Sequence, residues 1–127
     1  MEHPTEYKQG EIYWVTIKAV ETTGSEQKKS RPYIIVSRNQ INRLGPHVIG
    51  VPFTSSLHLA CAHRIKVPLS EMVPNSACSR KLQESVALTD QIRVLDKSRL
   101  ELPKMGDLTE TARYGIEGAL ANVFDIR

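Results

Sequence analysis

The hydrophobic pattern of the sequence changes once, near Asp107, and this change limits the folds that are open to the chain. Before that point, apolar and β-branched residues occur in short runs between polar loops and prolines, which is typical of β-strands. After it, apolar residues recur every three or four positions, which predicts one amphipathic helix. The residues of this pattern are Ala112, Ile116, Ala119, Leu120, Val123 and Phe124. At 127 residues the chain is one domain. We therefore predict an α+β fold, in which a small barrel or strongly curved antiparallel sheet precedes a C-terminal helix.

The strand-like runs are short. They lie at residues 10–20, 32–37, 48–53, 63–67, 85–88 and 91–95, the last two being either two strands or one bent strand. Between them we expect a solvated loop at 21–31, a turn or a single helical turn at 38–44, a second loop at 54–62 and a longer excursion at 68–83. Residues 1–9 are expected to form a loose polar tail, and residues 10–127 the folded domain.

Two features of the helix pattern predict local contacts. Asp107 is followed three residues later by Glu110, which resembles a capping box with Asp107 as the N-cap. Gly115 and Gly118 each cost a helix about 1 kcal/mol relative to alanine. We expect these small residues to allow a close approach by another segment.

Several classes of protein are excluded at this stage. No apolar run is long enough to span a bilayer, and the first residues lack the apolar stretch of a secretory signal. Cys61 and Cys78 are too few for a disulfide framework and do not have zinc-ligand spacing. The sequence thus predicts a reduced cytoplasmic protein with no membrane contact, no metal and no other cofactor.

Charged residues are distributed unevenly along the chain. The 44 residues between Glu26 and Glu71 contain no Asp or Glu but carry seven basic side chains, which are Lys28, Lys29, Arg31, Arg38, Arg43, Arg64 and Lys66. The remainder holds 10 basic and 14 acidic residues. Either this acid-free segment presents a positive face to a polyanion such as nucleic acid, or it is a core-rich segment with few charges of any sign. Seven basic residues favour the polyanion.

Motifs in a fixed order resemble those of the MazF/PemK toxin family. They are Gly10-Glu11-Ile12-Tyr13-Trp14, Gly24-Ser25-Glu26-Gln27, Arg31-Pro32, Asn42, Val51-Pro52-Phe53-Thr54-Ser55, Ser85-Val86-Ala87-Leu88, Asp90-Gln91-Ile92-Arg93 and Leu95-Asp96-Lys97-Ser98-Arg99-Leu100. Each motif is weak alone, but their order makes the resemblance specific. It implies an SH3-like barrel with a C-terminal helix, usually as a homodimer. It also implies a sequence-specific endoribonuclease that an antitoxin holds inactive.

The resemblance implies a catalytic set of Glu26, Arg31 and Thr54. Such chemistry uses the 2′-hydroxyl of the RNA as nucleophile and needs no metal. An arginine suits the phosphate because its guanidinium stays ionised and matches phosphate oxygens. A threonine hydroxyl can donate to an oxygen of the reacting group, and a glutamate can act as general base. Taken singly, each of these residues is more often an ordinary loop or turn residue.

The predicted RNA-binding residues are Lys28, Lys29, Ser55, Arg64 and Gln91. Gln91 is either a buried structural amide or a residue that reads a base edge. Arg93 either pairs with Asp90 or Asp96 or touches phosphate, and the structural pairing is slightly favoured.

Two alternative catalytic sets are weaker. Some members of the family are thought to use Asp, Arg and His, but only Asp90 matches that set here, since Leu88 and Ser25 occupy the other two positions. Imidazoles titrate near neutrality, so His47, His58 and His63 offer a second possibility. Surface histidines without a chemical task are nevertheless commoner.

Two other functions remain open from the sequence. One is a non-enzymatic poison of DNA gyrase resembling CcdB, although the terminal Phe124-Asp125-Ile126-Arg127 lacks the bulky terminal aromatic of those inhibitors. The other is a nucleic-acid-binding regulator without turnover. For the leading hypothesis, the expected partners are single-stranded mRNA, a second copy of the chain and an acidic, partly disordered antitoxin. Contact with DNA is expected only through the toxin–antitoxin complex.

Overall fold

The computed structural model describes residues 6–17 and 30–126. Within these ranges eight strands form one antiparallel sheet, with spatial order β4-β6-β3-β2-β1-β8-β5, and β7 pairs with β3. The strands are β1 Glu11–Val15, β2 Arg31–Ile35, β3 His47–Thr54, β4 Ile65–Val67, β5 Met72–Pro74, β6 Ser85–Ala87, β7 Arg93–Asp96 and β8 Gly106–Leu108. The helices are α1 Asn39–Arg43 and α2 Glu110–Phe124. The predicted curved sheet with a C-terminal helix is confirmed.

β3 bends the sheet because it pairs with three strands in succession. Its first half pairs with β7, its middle with β2, and Phe53 and Thr54 pair with β6. Pro52 lies at the change of partner, and its carbonyl accepts a hydrogen bond from the backbone N–H of Leu88 at 2.9 Å. A proline has no N–H to donate, but its carbonyl can still accept, so Pro52 is tolerated at this point of the sheet.

Both faces of β1 and β2 are buried, which explains their nearly continuous apolar sequences. Ile12 and Ile34 pack in a core cluster with α2, whereas Tyr13 and Tyr33 pack in a second cluster on the opposite face. Tyr7 belongs to that second cluster and is only 8% exposed. This part of the predicted tail is therefore packed into the domain, while residues 1–5 lie outside the described ranges.

The helix begins later than predicted. Asp107 lies in β8 opposite Glu11, and Thr109 is the N-cap of α2, where its side chain accepts a hydrogen bond from the N–H of Ala112 at 3.3 Å. The prediction of Asp107 as the cap was wrong because a three-residue strand intervenes. Of the predicted apolar face, Ala112, Ile116 and Ala119 are buried, whereas Phe124 is exposed.

Two further expectations differ from the structure. Apart from the neighbouring backbone of α2 itself, no described atom comes within 4 Å of a Cβ built on Gly115 or Gly118, so no described segment uses these glycines for a close approach. The excursion at 68–83 contains β5, which pairs with β8. Gly106 permits that pairing, because a Cβ there would lie 2.4 Å from the backbone oxygen of Val73.

Candidate functional site

A groove lies where the end of β1, the start of β2 and the end of β3 meet. β1 and β2 are in register with Trp14 opposite Pro32 and Val15 opposite Arg31, and both Trp14 and Arg31 line the groove. Thr54 completes this side of the groove at the last position of β3. The cavity volume is about 470 Å³. Three basic residues line it, which are Arg31, Arg80 and Lys81, and none of its described lining residues is acidic.

Arg31 lines the groove, and its buried Nε has no hydrogen-bond partner among the described residues. Burial lowers the pKa of the guanidinium, and the nearby Tyr33 phenol opposes this shift. An arginine stays charged under such conditions, so this side chain is a partly desolvated cation without a carboxylate partner in the described part of the chain. Such a group gains most from an anion with paired oxygens, such as a phosphate.

Thr54 presents a hydroxyl that donates no hydrogen bond to a described residue. Its Oγ1 accepts a hydrogen bond from the backbone N–H of Ser56 at 3.2 Å. This contact fixes the turn after β3, as expected for a threonine at a strand end. Because the oxygen acts as acceptor, the O–H remains available to donate to a bound group. Ser55 and Ser56 line the same groove.

The opposite wall comes from the predicted excursion. Arg80, Lys81, Leu82 and Gln83 all line the groove, between β5 and β6. Sequence reasoning did not assign Arg80 or Lys81 to the site. The sequence does contain a pattern that indicates a basic surface here, because Arg80 and Lys81 are adjacent and no acidic residue lies between Glu71 and Glu84. Their position beside β1 depends on long-range contacts that this pattern does not reveal.

The comparisons with known proteins agree with this architecture. A family model described as PemK-like, MazF-like toxin of type II toxin–antitoxin systems matches residues 8–124. This chain belongs to the PemK/MazF toxin family. A curated relative named endoribonuclease MazF, from Staphylococcus epidermidis, is 30% identical over 113 residues, covering 89% of this chain and 87% of the relative. The family predicted from the sequence motifs is therefore confirmed.

Solved structures show the same fold. The crystal structure of MazF from Deinococcus radiodurans matches with a TM-score of 0.71 at 19% identity, covering 96% of this toxin and 99% of that chain. A mycobacterial endoribonuclease in complex with its cognate antitoxin matches with a TM-score of 0.67 at 21% identity, covering 95% and 97% of the two chains. The barrel with a C-terminal helix that the resemblance implied is thus confirmed.

Three predicted site residues of the toxin lie outside the described residues. They are Glu26, Lys28 and Lys29. The described positions that flank this segment meet at the groove, because the backbone N–H of Ile17 donates to Oγ of Ser30 at 3.1 Å and Ser30 lines the groove. The assignment of these three residues remains a prediction.

Arg64 and Gln91 do not line the groove. Arg64 instead donates two hydrogen bonds to the carboxylate of Asp90, from Nε at 2.8 Å and from Nη2 at 2.7 Å. These bonds lower the pKa of Asp90. Oε1 of Gln91 is buried without a hydrogen-bond partner among the described residues. Arg93 forms no ion pair with a described residue, so the favoured pairing with Asp90 or Asp96 was wrong; Asp90 pairs with Arg64, and Asp96 accepts from the N–H of Ser98.

The three candidate histidines also lie away from the groove lining. His47 and His58 are exposed, and His63 lines a separate cavity of about 400 Å³ with Asp90 and Asn122. In the described ranges, no three His, Cys, Asp or Glu residues are grouped so that they could hold a metal ion. No helix there is long and apolar enough to cross a membrane.

Proposed function

We propose that this toxin is an endoribonuclease that cleaves single-stranded RNA at a short recognition sequence without a metal ion. The observation that carries the proposal is that one basic groove of a PemK/MazF chain is lined by both Arg31, whose buried Nε has no hydrogen-bond partner among the described residues, and Thr54, whose hydroxyl donates to none of them. The names of the curated relatives support the activity. The basic lining supports a polyanionic substrate.

The proposed reaction is an intramolecular displacement at phosphorus. The substrate 2′-oxygen loses its proton and attacks the adjacent phosphate, while the bond from phosphorus to the 5′-oxygen breaks. The leaving 5′-oxygen takes up a proton. The products are one RNA end with a 2′,3′-cyclic phosphate and another with a 5′-hydroxyl.

Each residue of the catalytic set has a distinct role in this proposal. Arg31 stabilises the charge that builds up on the phosphate oxygens, because burial has already removed part of the water from its guanidinium. Thr54 donates its hydroxyl proton to an oxygen of the reacting group. Glu26 accepts the proton of the 2′-hydroxyl. None of the described groove residues is a carboxylate or an imidazole.

The test uses purified toxin and labelled single-stranded RNA in EDTA. We expect cleavage, with cyclic phosphate and 5′-hydroxyl ends. A substrate with a 2′-deoxy sugar at the scissile position should bind and survive, since it lacks the nucleophile. A shifted but intact RNA band would indicate a binding protein without turnover. Neither binding nor cleavage would favour a gyrase poison, and cleavage of the deoxy substrate would contradict the mechanism.

We further propose that a cognate antitoxin inhibits the toxin and that the active form is a homodimer. A mycobacterial relative of the same fold forms a complex with its cognate antitoxin. An acidic antitoxin segment would compete with RNA for the basic groove. Sedimentation of the purified toxin tests the dimer, and protection of RNA by added antitoxin tests the competition.

A further inference from the structure

Arg80 is fixed at the groove by two contacts from different parts of the chain. Its guanidinium carbon lies 4.1 Å above the centre of the Trp14 ring. Its Nε donates to Oε2 of Glu101 at 2.6 Å. The two partners are themselves joined, because the backbone N–H of Glu101 donates to the carbonyl of Trp14 at 2.9 Å. An arginine that is stacked on a ring and bonded at Nε has little freedom to reorient.

This arrangement leaves the phosphate-binding edge of the guanidinium unused. Arginine carries five N–H donors, of which Glu101 takes the one on Nε. The two terminal NH₂ groups of Arg80 make no hydrogen bond with a described residue, and its side chain is 42% exposed at the groove. A terminal pair of N–H groups is the edge that binds phosphate oxygens in a bidentate manner.

The wall that carries Arg80 remains positive despite the contact with Glu101. Lys81 also lines the groove, is exposed and forms no ion pair with a described residue. Arg31 faces the same groove from β2. Two arginines from separate elements therefore line one cavity, and an RNA strand lying in it can contact both.

We propose that Arg80 binds an RNA backbone phosphate other than the scissile one, and that Trp14 and Glu101 are its positioning residues. The inference rests on the proposed function, because it assumes that RNA occupies the groove. It assigns a binding role to part of the 68–83 excursion. Arg80 stabilises the bound RNA equally before and during the reaction, whereas Arg31 acts on the reacting phosphate.

The experiment compares Arg80→Ala with Arg43→Ala as a matched control. Arg43 is also a surface arginine whose Nε bonds a glutamate, with 3.4 Å between Nε and Oε1 of Glu6, but it does not line the groove. The probe is a labelled single-stranded RNA pool of mixed sequence with 2′-fluoro sugars, which cannot be cleaved. We expect Arg80→Ala to weaken binding about tenfold and to flatten the salt dependence by about 0.7 in the log–log slope. Arg43→Ala should change neither.

The positioning role has its own readout. Glu101→Ala removes a negative charge together with the acceptor for Arg80, so simple electrostatics predicts tighter RNA binding. If Glu101 orients Arg80, the same variant binds RNA more weakly, and the effect disappears in the Arg80→Ala background. In cleavage assays, Arg80→Ala should raise KM and leave kcat close to the wild-type value. Thermal melting of each variant separates these effects from loss of folding.

The outcomes distinguish this inference from the proposed function. Wild-type affinity and salt slope in Arg80→Ala would overturn the role of Arg80 even if the toxin cleaves RNA. Unchanged RNA binding with weaker binding of an acidic peptide would overturn it in favour of the antitoxin. Tighter RNA binding by Glu101→Ala would overturn the positioning role. Weaker binding by Arg80→Ala in a toxin that cleaves no RNA would support this inference and overturn the proposed function.

Discussion

The hydroxyl oxygen of Thr54 accepts a hydrogen bond from the backbone N–H of Ser56, while its proton is donated to no residue that the structure describes. Thr54→Val keeps the shape of the side chain and removes that donor. We expect a loss of about 10- to 100-fold in the rate of single-turnover RNA cleavage, because one charge-assisted hydrogen bond is lost. Thr54→Ser should retain most of the activity. Wild-type rates in Thr54→Val would show that the hydroxyl takes no part in the reaction.

Substitution of Arg31 should slow RNA cleavage more than substitution of Thr54. We expect Arg31→Ala to slow cleavage about 10²- to 10³-fold, which corresponds to about 3–4 kcal/mol of transition-state stabilisation. Arg31→Lys should recover little, since an ammonium cannot reproduce the planar arrangement of donors. Arg38→Ala is the matched control, because Arg38 is exposed and does not line the groove. Full activity in Arg31→Ala with an unchanged melting temperature would contradict the proposed mechanism.

Glu26 is tested by the pH dependence of the reaction. A carboxylate base works only when ionised, so kcat/KM of the wild type should fall at acid pH as this group is protonated. Glu26→Gln should remove that limb of the profile and slow the reaction mainly at neutral pH. A uniformly slower reaction with an unchanged profile would mean that Glu26 only anchors its loop.

The sequence predicted the strands whose own apolar residues show that they are buried. The runs around Ile12, Ile34 and Val51 form central strands because each alternates between two buried faces. β5 and β8 have only three residues each and are held by pairing with neighbours and by the space at Gly106. No local periodicity marks such strands, so Asp107 was mistaken for a helix cap.

The site residues also divide into those that local sequence motifs mark and those that only long-range contacts bring together. Arg31 and Thr54 were predicted because family motifs mark both, and the structure brings them to one groove. Arg80 lies 66 positions from Trp14 along the chain and 21 from Glu101. Only the folded chain brings its guanidinium over the Trp14 ring. Contacts of this kind depend on the path of a long loop, which composition does not determine.

The pair formed by Arg64 and Asp90 should affect stability and not RNA affinity. Arg64 lowers the pKa of Asp90 in the folded state. A carboxyl with a lowered folded-state pKa stabilises the fold above its unfolded pKa of about 3.9, and this contribution is lost as the pH falls through the lower folded-state value. We expect Asp90→Asn to be less stable than the wild type at pH 7 by about 1 kcal/mol or less, since the pair is partly exposed.

Thermal or urea unfolding between pH 7 and pH 2.5 measures this difference. The difference in unfolding free energy between Asp90→Asn and the wild type should narrow as the pH falls, because protonation also breaks the pair in the wild type.

The same variant tests Arg64 as an RNA ligand, since it frees that guanidinium from its partner. If Arg64 bound RNA, Asp90→Asn would bind the 2′-fluoro pool more tightly and with a steeper salt dependence. We expect neither change, because Arg64 does not line the groove that holds Arg31 and Thr54.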